Sequence, residues 1–135
     1  MAERLPTGGL HIDFEEEAMG KARFINDEAF RSLRAGDAQA FHRMIERRSV
    51  VDFTDADLRG TDFREVDLSK VILRGAYLKD ADLRGMDLRK VDLEGASIHN
   101  ARIGGTYFST ELSAEEIALS VKHGTRMRTG KRDVQ

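Results

Sequence analysis

Residues 51–110 read VDFTD ADLRG TDFRE VDLSK VILRG AYLKD ADLRG MDLRK VDLEG ASIHN ARIGG TYFST, twelve consecutive five-residue words with a large apolar residue in every third place. The third places are Phe53, Leu58, Phe63, Leu68, Leu73, Leu78, Leu83, Leu88, Leu93, Ile98, Ile103 and Phe108, and no insertion breaks the spacing. A stripe at every fifth residue wanders around a helix of period 3.6 and changes faces on a strand of period 2. The backbone must therefore turn once per word, which makes the third places the candidate core.

The first places hold Val51, Ala56, Thr61, Val66, Val71, Ala76, Ala81, Met86, Val91, Ala96, Ala101 and Thr106, most of them small. Every fourth word forms a column: Val51, Val71, Val91; Ala56, Ala76, Ala96; Thr61, Ala81, Ala101. A twenty-residue period thus lies on the five. Four words make one square coil, with first and third places inward and the other three outward, and twelve words make three coils.

The words Ala56-Asp57-Leu58-Arg59-Gly60, Ala81-Asp82-Leu83-Arg84-Gly85 and Val91-Asp92-Leu93-Glu94-Gly95 resemble the A-[D/N]-L-x-x words of the pentapeptide-repeat family. The resemblance covers sixty of the 135 residues and implies a mainly β fold, a right-handed quadrilateral β-helix. For activity it implies a non-catalytic binding or scaffolding module. Some members resemble a DNA duplex closely enough to occupy a DNA gyrase, so DNA-mimicking modulation of gyrase is an alternative. Two features weigh against mimicry. Three coils spaced like neighbouring strands span only roughly 10–15 Å, about four base pairs. Moreover Arg59, Arg64, Arg74, Lys79, Arg84 and Arg89 face outward among the acids.

The flanks divide a single compact domain into residues 1–50, 51–110 and 111–135. In the first, Leu10-His11-Ile12-Asp13-Phe14 alternates as a short strand does. Asn26 can then cap a helix from Asp27 to about Ala35, Gly36 can end it, and Asp37 can cap a second helix running to about Arg48. Phe30, Leu33, Phe41, Met44 and Ile45 give this hairpin an apolar face. A coil stack ends in unpaired backbone and exposed core, so the hairpin is expected to cap the first coil. The competing role is a recognition element for a host or signalling protein. At the other end Ser113 and Glu116 form a capping-box pattern that opens a helix ending near His123, with Gly124 as terminator. Ile117 and Val121 would lie over the third coil, or the helix would pair two copies into a homodimer. Thr125 to Gln135, polar and basic, reads as a mobile tail.

Composition narrows the classes. The chain is 40% hydrophobic and 34% charged, with net charge −2 divided as −1, −2 and +1 over the three segments. No segment carries the one-signed charge that would steer it to nucleic acid or an anionic membrane. There is no cysteine, and the start, Met1 to Pro6, lacks a signal-like apolar run, so a cytoplasmic protein is expected. No metal, cofactor, catalytic group or small-molecule substrate is implied. Gly124 to Lys131 resembles a phosphate loop, but five residues separate its glycines and Arg132 replaces the metal-binding hydroxyl. His11, His42, His99 and His123 show no ligand spacing, and His99 falls at an outward place. The aspartates Asp52, Asp57, Asp62, Asp67, Asp82, Asp87 and Asp92 often have a base two places on, a solvated ion-pair lattice rather than an acid–base pair.

What remains is where the pattern breaks. Ile72, Tyr77 and Tyr107 replace aspartate in the second place, and they form the candidate surface for another protein. Ile72 and Tyr77 would point outward on neighbouring faces, open to a partner or covered by the segment around Leu10 to Phe14.

Overall fold

The computed structural model describes residues 25–130, so the alternating stretch at Leu10–Phe14 lies outside the described residues. Seven elements follow in order: α1 (Glu28–Arg34), α2 (Ala38–Ile45), β1 (Val51–Asp52), β2 (Val71–Ile72), β3 (Asp87–Leu88), β4 (Tyr107–Phe108) and α3 (Ala114–His123).

The five-residue word is a β-turn unit. At successive boundaries the first-place N–H donates to the third-place carbonyl three residues back, from Ala56 to Phe53 (3.1 Å) through to Thr106 to Ile103 (3.0 Å). The fifth place decides the turn. It takes positive φ at Asp55, Asp80, Asn100 and at Gly60, Gly75, Gly85, Gly95 and Gly105, residue types that tolerate the left-handed region. Glu65, Lys70 and Lys90 turn without it.

Stacking follows the twenty-residue period. Val51 pairs with Val71 and Asp52 with Ile72; Asp87 pairs with Tyr107 and Leu88 with Phe108, all parallel. Single bridges continue the same offset: Asp57 to Tyr77 to Ser97, and Asp62 to Asp82 to Arg102. Residues 51–70, 71–90 and 91–110 are thus three layers. Between layers, third- and fifth-place N–H groups donate to the layer that follows, as Leu83 does to Arg102 (2.9 Å) and Gly85 to Gly104 (2.9 Å).

The third-place residues from Phe53 to Ile98 are buried, as are the first places from Val51 to Met86. Ile103 and Phe108, also expected in the core, are only half-buried. Their part of the third layer has no further layer over it among the described residues, which is why the inward register does not bury them.

The helices meet both ends of this stack. Phe30 packs edge-on against Phe53 with ring centroids 5.2 Å apart, and Phe41 lies 6.3 Å from the same ring. Backbone groups on the outer side of the first layer find side chains instead of strands. The Asp57 carbonyl accepts from Arg34 (2.7 Å), and the Asp67 N–H donates to His42 Nε2 (2.8 Å). The α1 boundary differs from expectation by one residue, because Asp27, extended at φ −141°, is the residue whose carboxylate accepts the Ala29 N–H. Asn26 accepts from Arg31 instead. Asp37 caps α2 as expected, but α2 stops at Ile45, short of Arg48.

At the far end Ser113 accepts the Glu116 N–H, and Gly124 closes α3 at φ 75°. Glu116 does not complete a capping box; its carboxylate accepts from the Arg128 N–H (3.0 Å). Ile117 and Val121 pack against the core. The expectation of a mobile tail from Thr125 is overturned for residues 125–130. Met127 is fully buried in the core cluster, exchanging backbone bonds with Gly95 (2.7 Å) and Ala96 (2.9 Å), while Thr129 donates to Glu94 (2.9 Å). Composition suggested solvation, yet one apolar anchor and the third layer's unpaired N–H groups outweigh it.

Candidate interaction surface

The second-place aspartates prove to be more than surface partners. In all seven the carboxylate accepts the backbone N–H two residues on, from Asp52 with Thr54 (2.9 Å) to Asp92 with Glu94 (3.0 Å). Each aspartate thus holds the bend of its own word. Where an arginine follows, its guanidinium closes a two-pronged contact on the same carboxylate, as in Arg84 on Asp82 (2.9 and 2.7 Å) and Arg89 on Asp87 (2.9 and 2.8 Å). Asp82 is the most enclosed of the paired acids, its side chain 13% exposed, with Arg64 at 3.3 Å and Arg102 at 4.0 Å. The arginine contacts are the largest cause that holds the carboxyls of Asp57, Asp62 and Asp82 below their ordinary range, and they draw Asp87 down to about 2. For Asp67 the Ser69 backbone N–H comes first.

Tyr77, Ile72 and Tyr107 come apart. All stand at second places, but the expectation that Tyr77 is open to a partner is wrong: it is 7% exposed. The Arg126 guanidinium lies 5.0 Å over its ring and donates to its hydroxyl, while another nitrogen of Arg126 donates to the Gly95 carbonyl (3.0 Å). Arg126, in the segment after α3, contributes to that cover. Ile72, in β2 opposite Asp52, is half-buried. Tyr107 in β4 is 61% exposed, with Arg89 5.3 Å over its ring. Beside it a shallow groove is lined by Val66, Met86, Lys90, Val91 and Ser109.

Sequence reasoning missed Arg126 and Met127, whose signal was an apolar residue between two arginines in a polar stretch. His99 also departs from its expected solvated position. It is half-buried against Gly124, with a sheltered Nδ1 that meets no hydrogen-bond partner among the described residues. Among the described residues, no group of three or more His, Cys, Asp or Glu side chains is placed to hold a metal, and no helix is long and apolar enough to cross a membrane.

Parallel layers at a twenty-residue offset, built of five-residue turns, define a repeat protein whose unit is the pentapeptide. Residues 51–85 and 76–109 match the family model for pentapeptide repeats, with 8 copies, so this stretch of the chain is a run of pentapeptide repeats. Such repeats imply a right-handed β-helix, in agreement with the parallel short strands seen here. Comparison with curated proteins and with solved structures found no match to the chain.

Proposed function

We propose that the chain is a non-catalytic protein–protein interaction or scaffolding module. Its frame is three coils of a right-handed quadrilateral β-helix, capped by α1 and α2 at one end and by α3 with residues 124–130 at the other. The contact surface is centred on Tyr107. The observation that carries this reading is a 61% exposed aromatic side chain, braced by Arg89, in a place where the repeat most often sets aspartate. The partner is another protein, with a second copy joined through an end of the stack as runner-up, and the setting is the cytoplasm.

Two observations weigh against the alternatives. Mimicry of a duplex needs a run of uncompensated negative charge, whereas Asp57, Asp62, Asp82 and Asp87 are each closed by an arginine. A supercoiling assay with purified gyrase is expected to show neither inhibition nor protection. The helical hairpin turns Phe30, Leu33, Phe41 and Ile45 into the core cluster, which favours a cap over a recognition element.

The test is affinity capture and mass spectrometry with the intact chain and with Tyr107→Asp. A reproducible partner that binds the intact chain and is lost, by tenfold or more in affinity at a hot spot of about 1.4 kcal/mol or above, on Tyr107→Asp supports the surface. A partner that binds both alike rejects it.

A further inference from the structure

The third layer is closed along one side by the chain that follows it. Gly95 and Asn100 N–H donate to the carbonyls of Met127 (2.7 Å) and Val121 (2.8 Å), and Ile98 N–H donates to Ser120 Oγ (3.0 Å). Over residues 101–108 that closure stops. Among the described residues, the N–H groups of Ile103 and Gly105 meet no acceptor, although Leu83 and Gly85, one layer below, donate to Arg102 and Gly104 (2.9 Å each). The carbonyls of Ala101 and Thr106 meet no donor there, whereas those of Ala81 and Met86 accept from Arg102 (2.9 Å) and Tyr107 (2.8 Å). Charge is unbalanced at the same place. Arg64, Arg84 and Arg102 share two acids, Asp62 and Asp82, and Arg102 stands last in the column, 4.0 Å from Asp82 with its side chain 67% exposed. Ile103 and Phe108 are half-buried on this edge, and Tyr107 projects from it. Two donors and two acceptors at strand spacing, two apolar seats and one cation in excess are what an added strand recognises.

Resting on the reading that Tyr107 marks the contact surface, we infer that this edge takes an extended segment of another protein, added as one more parallel strand, with an acid over Arg102 and a large apolar residue over Ile103. The layers beneath specify that occupant. Their column holds a small residue (Thr61, Ala81, Ala101), then an acid (Asp62, Asp82), then a large apolar residue (Phe63, Leu83, Ile103), and Arg102 alone breaks the order. In register, the N–H of the segment's acid donates to the Ala101 carbonyl and its C=O accepts from Ile103 N–H, as Asp82 does with Thr61 and Phe63. Its carboxylate meets the Arg102 guanidinium, and the next side chain covers Ile103. Gly104 and Gly105 keep side chains off the approach. A second copy is a poorer source, because its own words of this kind, such as Ala56-Asp57-Leu58 and Ala81-Asp82-Leu83, are bonded into its layers.

The probe is a synthetic, end-blocked peptide copying residues 61–70 (TDFREVDLSK), the words that occupy these two columns in the first layer. Amide hydrogen exchange is read by NMR on the intact 135-residue chain, with Leu83 and Gly85 as internal references. In the chain alone, the Ile103 and Gly105 amides are expected to exchange at least about tenfold faster than the references, and the peptide is expected to slow them by about tenfold or more. A peptide with arginine in place of its first aspartate is expected to lose this effect on the intact chain and to regain it on Arg102→Asp. That exchange of charges keeps the test decisive if Arg102→Asp alone loosens the edge. Amides that the peptide leaves unmoved overturn the inference. Slow exchange already present in the dilute chain alone assigns the edge to the chain itself, and slowing that grows with chain concentration assigns it to a second copy; either overturns it. Tyr107→Asp separates the inference from the reading beneath it. Peptide protection that survives Tyr107→Asp keeps the strand and removes Tyr107 from the surface, whereas a captured partner lost on Tyr107→Asp but indifferent to Arg102→Asp keeps the surface and overturns the strand.

Discussion

Asp82 lies among Arg64, Arg84 and Arg102, and its carboxylate also holds the Arg84 N–H (3.3 Å). The same double use of a carboxylate recurs along the stack and ties the fold to pH. The carboxyls of Asp57, Asp62, Asp67, Asp82 and Asp87 all titrate below the ordinary 3.8 in the folded chain, so folding disfavours their protonation. Their contribution is present above about pH 4 and is lost as pH falls through the folded values, down to about 2 for Asp87. Acid titration followed by circular dichroism should show stability falling over that window, and Asp87→Asn should make the fall shallower. Each exposed pair adds little alone, so the slope is the readout. The turn residues give a sharper contrast. Gly85 sits at φ 72° with open space where a Cβ would stand, so Gly85→Ala should cost only the left-handed penalty, about 1–2 kcal/mol. At Gly75 the same Cβ meets the Asp55 carboxylate, so Gly75→Ala should cost more by chemical denaturation. The fifth-place glycines were visible in the sequence; that the second-place aspartates bind the backbone was not, because charge pairing two places on explained them without it.

Residues 124–130 show how an element can be misread from composition. An eleven-residue polar tail reads as solvated, but Met127 is fully buried and its neighbours bond along the third layer. Tyr77 stands at a second place that the word alone marks as outward, yet it is buried, with Arg126 over its ring. That contact joins residues forty-nine apart, which no local period reports. Met127→Ala should destabilise the chain by about 2–5 kcal/mol in thermal or urea unfolding. It should also open Tyr77, one of only two tyrosines in a chain without tryptophan, so that the quencher-accessible fraction of tyrosine fluorescence rises. The helical hairpin was legible almost to its boundaries, since Asp37, Gly36 and the spacing of its apolar residues are local signals. Deleting residues 1–48 should uncover Phe53 and the outer side of the first layer, and the expected outcome is aggregation in light scattering rather than a soluble stack.

For the molecule as a whole, the five-residue and twenty-residue periods predicted which residues stack, and Val51 with Val71 and Asp57 with Tyr77 with Ser97 lie as those periods require. The periods carry no information about where the stack is finished. Ile103 and Phe108 keep the inward register but lose burial, because burial depends on what lies above and not on the word itself. The same boundary leaves Tyr107 exposed beside an open edge and Tyr77 covered, so the placement of every candidate contact rests on the twenty-residue register. Nuclear Overhauser contacts in solution test that register most directly. The structure predicts backbone proton contacts between Val51 and Val71, Asp57 and Tyr77, Tyr77 and Ser97, and Asp87 and Tyr107 in the intact chain. Contacts at any other regular offset, or antiparallel pairs between neighbouring words with none twenty residues apart, would contradict it.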